Sequence, residues 1–244
     1  MRAAGAAESR ENDMRSTLIT LCALGGLLVT LPAKAQDFPA QGTFAVGAER
    51  LFGFAHTTIK TEIDTPAGTA KSDETSDTFF FLGSVGRTPW VAPRIGFDYF
   101  IIDSLSLGGS LAYVSDSRET ENTLPNGNTN QGADVDDSAI LFAPRVGYAY
   151  MFSDVVGIWP RGGFSYVSGK HKVGDNEDTF HNLALSLEAM LTITPVPHAG
   201  FLVGPTLDFP FIGSGETDNG QQKTDIDKYR ITTIGLQAGI FVWF

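Results

Sequence analysis

The stretch that decides the fold is "APRIGFDYFIIDSLSLGGSLAYVS", Ala92 to Ser115. Its second half alternates with period two. Leu105, Leu107, Gly109, Leu111 and Tyr113 share one face, while Ser106, Gly108, Ser110, Ala112 and Val114 share the other. Successive side chains of a strand point to opposite faces, so this spacing predicts extended chain with one apolar side. The first half carries alternating aromatics, and the tight connection at Asp103 predicts a β-hairpin. An imperfect copy, "APRVGYAYMFSD" from Ala143 to Asp154, follows 51 residues later and again leads into an alternating strand. "NLALSLEAMLTI" (Asn182 to Ile193) and "FLVGPTLDFPF" (Phe201 to Phe211) repeat the alternation.

The rest of the chain fits the same plan. The regions 60–77, 116–137, 170–178 and 214–227 are polar, rich in Asp, Glu, Asn, Thr and Gly, and read as long connections. Long and short connections alternate. The spacing predicts eight strands, at about 42–58, 78–102, 105–117, 138–152, 155–169, 179–194, 199–213 and 228–244. The second is too long for one regular strand, and "LGSVGRTPWVAP" inside it holds two Gly and two Pro. An interior Pro removes a ladder hydrogen bond, so a break or bulge is expected there.

The start of the chain predicts export. From Met14, "MRSTLITLCALGGLLVTLPAKAQ" has a short positive segment, an apolar run from Leu18 to Leu31, and the small-x-small site Ala33-Lys34-Ala35. These are the parts of a cleavable signal peptide. The expected organisation is an upstream extension over 1–13, a signal peptide over 14–35, and one β-barrel domain over 36–244. The only cysteine, Cys22, lies inside the apolar run, so no disulfide is expected in the exported part. No later segment supplies about 18 consecutive apolar residues, as a spanning helix requires.

Which solvent the apolar faces meet is decided by the polar ones. They carry single charges in apolar neighbourhoods: Arg94, Asp98, Arg145, Arg161, Glu188 and Asp208. Three are basic and three acidic, which suits a closed lumen where charges pair. A face bathed in water would be denser in Lys and Glu. Aromatics sit near strand ends, at Tyr99/Phe100, Tyr113, Tyr150/Phe152 and Trp243/Phe244, as at a membrane interface. Long loops on one side and short turns on the other match extracellular and periplasmic connections. Hydrocarbon offers no hydrogen-bond partners, so a spanning sheet must close on itself. The fold expected is all-β, an eight-stranded antiparallel up-and-down transmembrane barrel in the bacterial outer membrane. An interior of this size is filled by side chains.

The sequence ends "IGLQAGIFVWF", where Ile234, Leu236, Ala238, Ile240, Val242 and Phe244 would face lipid and Gly235, Gln237, Gly239, Phe241 and Trp243 the lumen or its lower rim. Together with the signal peptide and the "APRIGFDYFIIDSLSLGGSLAY" hairpin, this end resembles the small eight-stranded outer-membrane β-barrel family of Gram-negative bacteria, the OmpA/OmpX-like membrane domains. The resemblance implies that Phe244 is part of the signal read by the barrel-assembly machinery. It also implies neighbours of outer-membrane lipid and lipopolysaccharide.

Chemistry is sparse. In "FHNLALSLE", His181 points opposite to Ser186 and Glu188, so a lipid-facing His–Ser pair is not assembled. "DVDD" (Asp134 to Asp137) and "GDNEDT" (Gly174 to Thr179) lack a calcium-loop pattern. The net charge of −11 and scattered Lys and Arg argue against nucleic acid. No catalytic residue, metal or cofactor is expected. The expected interior is a salt-bridge network of Glu49, Arg94, Asp98, Arg145, Arg161, Glu188 and Asp208. Arg50 would face lipid in a regular strand, at a cost of about 2–4 kcal/mol at mid-depth, so a bulge or a reach back to a carboxylate is expected. The leading functional expectation is a non-enzymatic structural or surface-interaction barrel, with any ligand at the acidic outer loops. A narrow channel or carrier of small hydrophobic compounds, and a lipid A-modifying enzyme, are the alternatives.

Overall fold

The computed structural model describes residues 38–65, 68–81, 89–118, 121–123, 129–131 and 133–244. The expected signal peptide and upstream extension lie outside them. The strands are β1 (Phe44–Thr65), β2 (Gly68–Phe81), β3 (Arg94–Ile102), β4 (Leu105–Arg118), β5 (Glu121–Thr123), β6 (Thr129–Gln131), β7 (Val135–Tyr148), β8 (Tyr150–Met151), β9 (Val156–Val173), β10 (Asn176–Val196), β11 (Ala199–Asp218), β12 (Lys223–Ile226) and β13 (Lys228–Trp243). Eight of them form a closed antiparallel cylinder in the order β1, β3, β4, β7, β9, β10, β11, β13 and back to β1. The seam between first and last strands runs from Ala45↔Trp243 to Glu62↔Lys228. Below it, Phe44 and Phe244 exchange both backbone hydrogen bonds, at 3.0 Å each.

Burial alternates as the sequence reading expects. Ile234, Leu236 and Ile240 are exposed, whereas Gln237, Phe241 and Trp243 are buried inside. The exposed stripe continues around the cylinder through Phe52, Phe97, Leu107, Phe142, Phe164, Leu187 and Phe209. A ring of large apolar side chains this extensive faces hydrocarbon, not water.

Three comparisons with the sequence reading matter here. First, the second strand is interrupted outright, as expected. β2 carries its outer part against β1, β3 carries its inner part, and Pro89–Val91 forms a short 3-10 turn buried in the lumen. Second, much of the expected loop regions is strand. β1 and β2 stay paired to Thr65↔Gly68, and β9 and β10 to Val173↔Asn176, where Gly174 takes a positive φ of 61° in the turn. Beyond the bilayer both faces of a strand are wet, so the ladder continues without the apolar alternation that marks it in sequence. Third, Phe100 turns inward rather than joining an interfacial girdle, and Trp243 faces inward as its parity predicts. With Phe38, Trp159 and Phe241 they build an aromatic plug across the end that carries the short turns. Phe38 lies at its centre, with ring centroids 5.2–5.5 Å from those of Phe241, Phe100, Trp243 and Trp159.

Candidate functional site

The site begins with a local irregularity of β1. The register with β13 shifts between Ala48 and Phe52, and Arg50 has a φ of +55°. This bulge turns both Glu49 and Arg50 into the lumen, where Arg50 is 2% exposed. A left-handed conformation costs a non-glycine residue about 1–2 kcal/mol. Exposing Arg to mid-bilayer costs more, and the inward pose adds partners.

Arg145 on β7 lies among three acids. Its two Nη atoms donate to the two oxygens of Glu49 at 2.7 and 2.6 Å, and Nη2 also reaches Asp98 Oδ2 at 2.5 Å. Glu188 lies 3.6 Å from its Nη1. Arg161 on β9 bridges Glu49 at 2.6 Å and Glu188 at 2.7 Å, and its guanidinium lies 5.1 Å from the Trp159 ring centre. Arg50 holds Asp208 at 2.7 Å and Glu188 at 3.1 Å. Arg94 is the least paired, 4.0 Å from Asp208. Ser186 Oγ donates to Asp208 at 2.5 Å and contacts Ser165 Oγ at 2.5 Å.

All seven residues expected in the network therefore meet in one buried layer, and Arg50 joins them. Four arginines then face four carboxylates, so the layer is formally neutral. Neutrality matters because an unpaired buried charge is far more costly than a paired one. Gly96 makes the layer possible: a Cβ there would come within 2.5 Å of Glu49 Oε1 and 2.9 Å of Arg145 Nη2.

Trp90 covers the layer on the side away from the aromatic plug. Its carbonyl accepts from Arg94 Nη2 at 3.0 Å and from Arg50 Nη1, and its indole N–H donates to the Ile231 carbonyl at 2.9 Å. The break in the second strand thus delivers a tryptophan that is fastened over the charges. Sequence reasoning placed the break but missed Trp90, because "RTPWVAP" has no periodicity to give its side chain a direction.

Other sequence candidates fall apart in space. His181 is outside, its ring stacked on Tyr166 with Nδ1 3.1 Å from the Tyr166 hydroxyl, while Ser186 and Glu188 are inside. Of the acidic stretches, Asp137 sits 2.5 Å from His171 Nδ1 across β7 and β9. No group of three or more potential metal ligands occurs among the described residues.

Closed cylinder, apolar belt and charge-paired interior define the class: an eight-stranded β-barrel protein of the bacterial outer membrane. No family model matches the chain, and no curated protein matches it. Among solved structures it is similar to the outer-membrane protein OprG from Pseudomonas aeruginosa, at 12% identity and a TM-score of 0.48, covering 84% of this chain and 97% of that one. Neisserial surface protein A matches at 14% identity with a TM-score of 0.44, covering 83% and 99%. The attachment invasion locus protein Ail of Yersinia pestis matches at 14% identity with a TM-score of 0.36, covering 82% and 99%.

Proposed function

We propose that this protein is a non-enzymatic outer-membrane barrel, closed to passage into the periplasm, that acts through its extracellular hairpins. One observation carries the reading: the lumen is blocked twice in series, by the charge layer and by the aromatic plug beneath it. An ion entering from outside would have to displace a matched charge set and then part five aromatic rings. The separation of His181 from Ser186 removes the pairing that a lipid-modifying hydrolase would need. The long hairpins carry the acidic outer surface, so an extracellular partner would meet them first.

Planar-bilayer recording of the refolded barrel tests this. The expected trace stays at the bare-membrane baseline in molar salt. Discrete, reproducible conductance steps would overturn it.

A further inference from the structure

The interior changes character above Trp90. Leu141 on β7 stands opposite Val167 on β9, and both belong to the apolar cluster that contains Trp90. Four residues further out on the same strands, Asp137 stands opposite His171, and His171 opposite Asp178 of β10. Residues an even number apart on a strand share a face, so all three side chains stay inside the wall.

At this height the strands enclose a cavity of about 320 Å³, a volume that suits a small molecule. Its floor is apolar and aromatic. Ile59 belongs to the Trp90 cluster, and Phe180 and Tyr229 pack against it. The Phe180 and Tyr229 ring centroids lie 5.3 Å apart, with the rings tilted at 45°. The polar lining carries one sign of charge. Glu74 on β2, Asp137 on β7 and Asp178 on β10 bring carboxylates, and no lysine or arginine occurs among the described lining residues. The one base there is His171, whose Nδ1 lies 2.5 Å from Asp137 Oδ1. The lysines on either side of it, Lys170 and Lys172, are exposed, and Lys170 bridges Glu177 at 2.6 Å. The charge layer below is matched four to four; this chamber is not.

We propose that the cavity is an extracellular binding site for a small organic ammonium ion, a protonated amine that carries an apolar body. The body rests on Ile59, Phe180 and Tyr229, and the ammonium group faces the carboxylates. Aromatic rings attract a cation as well as burying hydrocarbon, so both ends of such a ligand are served. An anion is repelled, and a neutral apolar molecule would strip water from the carboxylates without replacing it. A metal ion fits poorly, because no group of three or more potential metal ligands occurs among the described residues. The site rests on a barrel that acts at its outer end, yet the two can fail separately. Conductance would breach the seal without touching binding, and absence of binding would leave the seal intact.

Titrating 2-phenylethylamine at pH 7 into the refolded, isotope-labelled barrel in micelles, followed by NMR, tests the site. Two ligands of similar shape serve as controls: neutral 2-phenylethanol and anionic 3-phenylpropionate. The amine should shift the backbone signals of Phe180 and Tyr229 saturably. The alcohol should bind several-fold more weakly, and the carboxylate should produce no saturable shift. Asp178→Asn should weaken the amine several-fold. Glu177→Gln removes the same charge from the neighbouring outward position and should leave the affinity unchanged. The proposal is overturned if the amine gives no saturable shift at these residues, or if either control binds as tightly. It is also overturned if Asp178→Asn, with folded gel mobility, keeps wild-type affinity, or if Glu177→Gln weakens binding equally. The three ligands on the wild-type barrel decide the matter even where a variant does not fold.

Discussion

The inner and outer halves of this barrel are built from the same strands, yet they solve opposite problems. In the inner half each wall strand is paired on both sides, charges are matched four to four, and aromatic rings fill what remains. In the outer half β2 pairs only with β1 and β4 only with β7 among the described residues, and an apolar cluster around Trp90 lies above the charges. One event produces both. Breaking the second strand between Phe81 and Arg94 lets Trp90 enter and cover the charges, and among the described residues β4 above Leu111 pairs only with β7.

The sharpest way to break the comparison is to unbalance the inner half. Replacing Arg145 with Ala takes from Asp98 its closest cation and leaves Glu49 with Arg161 alone. Removing one partner of a buried ion pair costs about 3–5 kcal/mol. Urea unfolding in micelles should show a loss of that size, while the barrel still inserts. Unchanged stability would mean that the layer is not a coupled unit.

A smaller effect should appear only in the outer half. Glu62 on β1 accepts a hydrogen bond from Lys228 on β13 at 2.9 Å and lies 3.4 Å from Lys71 on β2. The hydrogen bond from Lys228 is the main cause holding its carboxyl below the usual range, with the lysine charges adding to it. A carboxyl lowered in the folded state stabilises above its unfolded pKa, and the contribution is lost as pH falls through the folded value. Acidification through the carboxylate range should therefore lower the hydrogen-exchange protection, corrected for the intrinsic exchange rate at each pH, at the outer end of β1, around Lys60 to Asp64, before it affects the inner half. Lys228→Met should remove this acid sensitivity. Equal acid response in both halves would erase the distinction.

Much of the inner half was legible in the sequence because the membrane imposes a strict code there. Apolar and polar residues must alternate, so the directions of Gln237, Phe241, Ile234 and Leu236 followed from parity alone. The same code exposed Arg50. A cation on the wrong parity signalled a bulge, and the structure has both the bulge and the reach to a carboxylate. The outer half was less legible. Once strands leave the bilayer, water accepts either face, and 60–65, 68–77, 170–173 and 176–178 looked like loops although they are paired strand. Phe100 was misassigned for a related reason: an aromatic near a strand end satisfies an interface or a plug equally well, and only the neighbouring rings decide.

Accessibility of the two halves from outside tests the account most directly. Single cysteines can be placed by Val114→Cys, beside the apolar cluster above the charge layer, and Thr192→Cys below that layer, in a chain whose only native cysteine, Cys22, is replaced by Ser. Intact cells are then treated with a small membrane-impermeant maleimide. Labelling at position 114 with protection at position 192 is the expected result. Equal labelling at both positions would contradict a sealed inner half beneath an open outer one.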